Sequence, residues 1–270
     1  MTTALVVALK AEANPLIEHF RLKPLASPTL FPIWENETIK LVISGVGKIK
    51  AGAAVSYLAG IHRDEPIDSW LNIGIAGHKS LAIGTPLLIH KITDAARQSS
   101  FFPSFAFLPP CETIACLTID QATADYPDEP VCEMEAAGFY LIAAKIAPLE
   151  TIHLFKVISD NTSFSAHQLT KNTVERLIGN QIDKVNAVIT EMSRLAKQIM
   201  PHHIPLLDSF LKQWHFTTCE TQQLKKLLHR WQTLYPDQVI LSQDILDCKT
   251  ASAALALLDK KLSSQPLPLV

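Results

Sequence analysis

The sequence predicts a three-layer α/β/α domain with a central mixed sheet, followed by a helical C-terminal extension. Three observations predict it. Short, fully apolar runs alternate with stretches of helical period up to about residue 200, the pattern of strands covered on both faces by helices. Strand-like alternation is unconvincing after Pro201, where only helical periods remain. Hydrophobic residues make up 48% of the 270 positions and charged residues 19%, which is enough for a packed core and too apolar for disorder.

The elements follow in order. Residues 4–9 (ALVVAL) read as a central strand, and residues 12–20 as a helix with Ala13, Leu16, Ile17 and Phe20 on one face. Residues 30–34 and 39–43 read as strands joined by a turn at Asn36, and residues 49–61 as an Ala-rich helix. Strands follow at 71–75 and 86–92. The proline-rich text of 94–129 is irregular, with one strand near 114–119. An apolar helix fits 134–146, a strand 151–158, and a long amphipathic helix 167–200, broken near Gly179. The domains are thus expected at 1–200 and 201–270. In the second, Thr217-x-x-Glu220 has the form of a capping box, and 251–262 is a further helix.

Several function classes are excluded by composition. A net charge of −2, from 24 basic and 26 acidic residues, offers nucleic acid no footprint. No apolar run reaches the roughly 18 residues that span a bilayer. The apolar start has no basic segment before it and reads as a strand, not a signal peptide. Five cysteines, odd in number and in no CxxC pair, suit reduced thiols in the cytoplasm and give no zinc pattern. No metal or cofactor is expected. His202-His203 falls in the presumed linker without zinc-ligand spacing.

Chemistry-bearing residues gather at predicted strand ends, where α/β sheets bind ligands. They are Ala8-Leu9-Lys10-Ala11-Glu12, Ser44-Gly45-Val46-Gly47-Lys48, Asn72-Ile73-Gly74-Ile75-Ala76-Gly77, and the pair Glu133-Met134-Glu135-Ala136 and Ser159-Asp160. Each also has a plain structural reading. Glu12 suits the first turn of a helix, and Asp160 a helix N-cap. The Ser44–Lys48 segment is neither a P-loop nor GxGxxG. Gly74 and Gly77 permit a tight turn. His78 suits a surface turn, and His167 could cap a helix or line a site near Asp160.

Order and residue type link these segments. Over about residues 3–195 the sequence resembles the purine nucleoside phosphorylase superfamily, and most of all its hydrolytic branch, the methylthioadenosine/S-adenosylhomocysteine nucleosidases. The resemblance implies a nucleoside phosphorylase-like fold, a purine nucleoside as substrate and no cofactor. It makes Glu12 the residue that activates water. It places Ser44, Gly45, Val46 and Gly47 beside the ribose, and the backbone of Ile75, Ala76 and Gly77 along the nucleoside. Glu133 belongs to the same EMEA motif, in which Met134 packs against the sugar and Glu135 accepts the ribose hydroxyls. Asp160, oriented by Ser159, protonates the departing base, for which it must hold a proton near neutral pH.

Breaking an N-glycosidic bond leaves positive character on the sugar and negative charge on the base, so an acid, a positioned water and a nearby carboxylate are the groups the reaction needs. Lys10-Ala11-Glu12 stands where phosphate-using relatives carry a Gly-Asp-Pro-x-Arg segment, and a carboxylate there favours water over phosphate. Phosphorolysis with Lys48 or Lys156 as anion ligand, and nucleoside binding without catalysis, are the alternatives. Three departures from the family pattern stand out. Lys156 replaces an arginine, the segment before EMEA is short, and residues 118–123 carry no aromatic to stack on the purine. A cytoplasmic homodimer is expected, with the extension available to a protein partner and no contact with membrane or nucleic acid.

Overall fold

The computed structural model describes residues 1–26, 29–199, 206–235, 240 and 242–264. The chain forms two compact units, Met1–Met200 and Pro201–Val270. Pro201 and His202-His203, read above as boundary and linker, lie outside the described residues.

The first unit is built on one mixed sheet. Strand β1 (Thr3–Val7) runs parallel to β4 (Ile39–Ile43) on one side and β5 (Ser69–Gly77) on the other. Beyond β5 the sheet curls into a ring. β5 pairs in parallel with β10 (Ile152–Asp160), and β10 runs antiparallel to β6 (Pro86–Asp94). β6 is parallel to β8 (Glu112–Thr118), which is parallel to β9 (Val131–Glu133). β9 returns antiparallel to β5 through Gly77 and Cys132. Three short strands complete the sheet. β2 (Lys23–Pro24) and β3 (Ile33–Glu35) extend the β4 edge, and β7 (Ser99–Phe101) pairs with β6.

Both faces of the sheet are covered, which is why the strands are apolar at successive positions. Leu5, Val7, Leu71, Ile73, Phe155 and Val157 pack with residues of α1 (Lys10–His19), α4 (Lys171–Gly179) and α5 (Ile182–Ile199). The alternate residues Ala4, Val6, Trp70, Leu154 and Ile158 pack with α2 (Lys48–Ile61) and α3 (Ala136–Ala143). Gly138 lets α2 and α3 touch at their first turns, since a Cβ there would lie 1.8 Å from the Lys48 carbonyl oxygen. That approach brings the turn before α2 against the turn before α3.

The elements depart from expectation where side chains intervene. The helix expected from residue 134 opens at Ala136 instead, because the Glu133 carboxylate accepts the N–H groups of Glu135 (2.9 Å) and Ala136 (2.7 Å) and so caps the helix there. The amphipathic stretch expected from 167 starts its first helix at Lys171, and the break expected near Gly179 is present, dividing α4 from α5. The irregular stretch before EMEA contributes β7 and β9 besides the expected strand.

In the second unit the described residues form α6 (Leu207–Gln213), α7 (Thr218–Leu234), α8 (Gln243–Leu246) and α9 (Ala251–Ser264). Their core holds Phe210, Trp214, Leu224, Leu228, Trp231, Leu255 and Leu258. The Thr217 and Glu220 capping box is formed, with Glu220 Oε2 accepting from Thr217 N at 2.9 Å. Among the described residues no helix is long and apolar enough to cross a membrane, and no group of His, Cys, Asp and Glu is arranged to hold a metal ion. The five cysteines are unpaired.

Candidate active site

A cavity of about 200 Å³ opens at the carboxyl ends of β1, β5 and β10. Glu12, Glu135 and Asp160, three carboxylates from distant parts of the chain, meet in its wall. Val46, Ile75, Ala76, Gly77, Glu133, Met134 and Ser159 complete the predicted residues that line it.

Glu12 reaches the cavity because β1 ends at Val7 and α1 begins at Lys10, putting the carboxylate back over the turn. Its Oε2 accepts the N–H groups of Ala8 (2.9 Å) and Leu9 (2.8 Å), and its Oε1 that of Ile75 (3.0 Å). Gly74 leaves room for it, as a Cβ there would stand 3.1 Å from Glu12 Oε1. Burial raises the pKa of Glu12 above the ordinary glutamate range, against the pull of these donors and of Lys156.

Glu135 sits at the mouth of α3, and its Oε1 accepts the N–H of Gly47 at 2.8 Å. Gly45 (φ +80°) and Gly47 (φ +109°) are in conformations that favour glycine, and they turn that N–H toward the acid. Burial, with Glu133 alongside, pushes the Glu135 pKa up to about 7, although Lys156 opposes the shift. The folded chain therefore binds a proton at Glu135 more tightly than the unfolded chain. The stability linked to that proton is full below about pH 4.5 and lost as pH rises toward 7. The melting temperature is expected to fall over this window, with a shallower fall in Glu135→Gln. A slope unchanged by that substitution would refute the assignment.

Asp160 is aimed by a β-bulge. The β10–β5 register shifts between Ile158 and Asp160, a device that re-aims side chains beside active sites. Its Oδ1 accepts from the Ser159 hydroxyl at 2.5 Å, and its Oδ2 from the hydroxyl of Tyr126.

Four predicted residues stand behind this wall. The Ser44 hydroxyl turns to the main chain, donating to Gly45 O at 2.8 Å. Gly45 and Gly47 act through the backbone just described. Lys156 is fully buried, with its Nζ 2.9 Å from Glu133 Oε2, so it is a partner of the acids and not a free ligand for substrate. Although burial opposes its charge, Glu133, Glu135 and Glu12 hold its pKa above the ordinary lysine value. Lys48 is committed too, to Asp94 (2.8 Å) and Asp120 (3.0 Å). Among the described residues no lysine or arginine lines the cavity.

Residues 118–123 carry no aromatic, and the ring at the cavity comes from just beyond them. Ile119, Ala122 and Thr123 line the cavity, and Tyr126, a few residues on, supplies a ring. Nothing in the text marked it, because the loop carries no periodicity to say which side chains turn inward. His78 is buried, and its Nδ1 accepts from Ser80 N (3.1 Å) and Leu81 N (3.0 Å), so it pins the turn after β5. His167 is exposed and outside the cavity wall. A larger groove of about 440 Å³ between α2, α3 and β7 contains none of the predicted acids; its carboxylate, Asp94, is already paired with Lys48.

No family model matches the chain, and no curated protein matches it by sequence. Solved structures do. A 5′-methylthioadenosine/S-adenosylhomocysteine nucleosidase from Helicobacter pylori superposes with a TM-score of 0.57 at 16% identity, over 71% of this chain and 98% of its own. The corresponding nucleosidase from Colwellia psychrerythraea, in complex with adenine, gives 0.59 at 17%, over 71% and 96%. Futalosine hydrolase of H. pylori gives 0.55 at 15%, over 71% and 98%. The chain has the fold of these nucleosidases, the nucleoside phosphorylase-like fold.

Proposed function

We propose that this protein is a nucleosidase. It would use water to split the N-glycosidic bond of a purine nucleoside of the 5′-modified adenosine type, releasing free base. The observation that carries this reading is the convergence of Glu12, Glu135 and Asp160 on one small cavity in a nucleosidase fold. Glu12, whose pKa burial raises, is thereby a stronger base than an exposed glutamate and suited to take a proton from water. Glu135 would accept the ribose hydroxyls and set negative charge beside the cationic sugar. Asp160 would give its proton to the base as the carbon–nitrogen bond breaks and the electron pair leaves with the base. Water's oxygen then bonds to the anomeric carbon and its proton passes to Glu12. Met134, Ile75, Ala76 and Gly77 would line the nucleoside.

Water is favoured over phosphate because, among the described residues, the cavity wall supplies carboxylates and no cation, while Lys48 and Lys156 are held in ion pairs. The test is release of adenine from methylthioadenosine, S-adenosylhomocysteine or 5′-deoxyadenosine, with and without phosphate. Release is expected at a rate indifferent to phosphate, and about a hundredfold slower or worse in Asp160→Asn. No release from any of the three would refute the reading, and ribose 1-phosphate as product would replace water by phosphate. The same reading carries a homodimer, a cytoplasmic location and a protein partner for the second unit as further proposals.

A further inference from the structure

We propose that Tyr126 is a positioning residue for the acid of this reaction, holding the Asp160 carboxyl and stabilising the carboxylate it becomes. The inference rests on the nucleosidase reading and goes beyond it to a residue outside the matching segments. Tyr126 is buried, lines the cavity, and donates its hydroxyl to Asp160 Oδ2 while Ser159 donates to Oδ1. Two hydroxyls on opposite oxygens fix the plane of the carboxyl, leaving rotation about its axis little freedom.

Gly77 provides the space for this pair. A Cβ at Gly77 would lie 2.4 Å from Tyr126 Cε1 and 2.5 Å from Asp160 Oδ2. The glycine that ends β5 thus admits ring and carboxylate together. Burial and the neighbouring carboxylate also hold the phenol well above its usual pKa, so it stays a neutral donor throughout the working range.

The chemistry follows from where charge develops. When the proton leaves Asp160 for the base nitrogen, the bond to the anomeric carbon breaks and its electron pair goes to the base. Asp160 is left as a buried carboxylate. Hydrogen bonds to an ionised acceptor are stronger than those to a neutral one, so both hydroxyls tighten as the proton departs. Tyr126 thereby favours the transition state over the ground state, and its loss should act on kcat more than on KM.

Tyr126→Phe keeps the ring against Gly77 and removes only the donor. It is tested on methylthioadenosine and on the 5′-methylthio riboside of 4-nitrophenol, whose leaving phenolate needs no proton. With methylthioadenosine, kcat is expected to fall about tenfold and KM to change less than about twofold, the loss of one hydrogen bond to a charged group. Nitrophenolate release should match wild type. Unchanged purine turnover in the variant, or equal loss on both substrates, overturns the role of Tyr126 and leaves the nucleosidase reading standing. A wild-type protein that cleaves neither substrate overturns both.

Discussion

Glu12→Gln is expected to lower base release about a thousandfold, the range lost with a general base, and to destabilise the fold by about 1–3 kcal/mol. The stability loss comes from three hydrogen bonds. The carboxylate offers oxygen to Ala8 and Leu9 on one side and to Ile75 on the other. Glutamine has one oxygen. Whichever way the amide is turned, its NH₂ faces at least one backbone N–H, and a buried donor is left unmet. The activity loss has a separate cause, since an amide cannot take the proton that water gives up. Turnover should be assayed on protein shown by chemical denaturation to be folded. A variant that kept a tenth of wild-type turnover would remove Glu12 from the role of base. One that lost turnover with no change in stability would contradict the hydrogen bonding around it.

The parts of this molecule legible in the sequence are those governed by local chemistry. Short apolar runs and helical periods gave β1, β4, β5, β6, β10 and the helices on both faces, because each buried residue there answers to its own element. The three acids were legible because they stand at strand ends or a helix start and in the order of the family that the sequence resembles. What was not legible depends on encounters between remote segments. Closure of the ring through Gly77 and Cys132 joins residues 55 positions apart, and no pattern in either segment announces it. The bulge that aims Asp160 lies in a buried strand whose residues before Ser159 carry no mark of it. Tyr126 stands in a loop with no period, and its partner is 34 residues away. Lys156 looked like a ligand for substrate because it falls four residues before the acid. Its strand neighbours bury it, so the charge must be met inside the protein, and Glu133 meets it.

That encounter sets the second large effect. Lys156→Met should destabilise the first unit by about 3–5 kcal/mol, since it removes one partner of a buried ion pair and leaves the other charge uncompensated. Glu133 would keep the Thr118 hydroxyl (2.5 Å) and the N–H groups of Glu135 and Ala136, but three carboxylates would then face one another without a cation. Lys156 is also what lowers the pKa of Glu12 and Glu135 against burial, so both acids should take up protons more readily in the variant and the pH at which the base becomes active should move up. Adding Glu133→Gln tests the electrostatic cause. The glutamine oxygen can still accept the two backbone N–H groups, and its NH₂ can donate to Thr118 Oγ1, whose hydroxyl proton is free to turn. The double variant removes both charges and is expected to recover more than half of the lost stability by denaturant titration. If Lys156→Met costs less than about 1 kcal/mol, the pair is a bystander, as exposed ion pairs usually are. If the double variant is no more stable than the single, the loss lies in the packing of the lysine stem, and the charge argument fails.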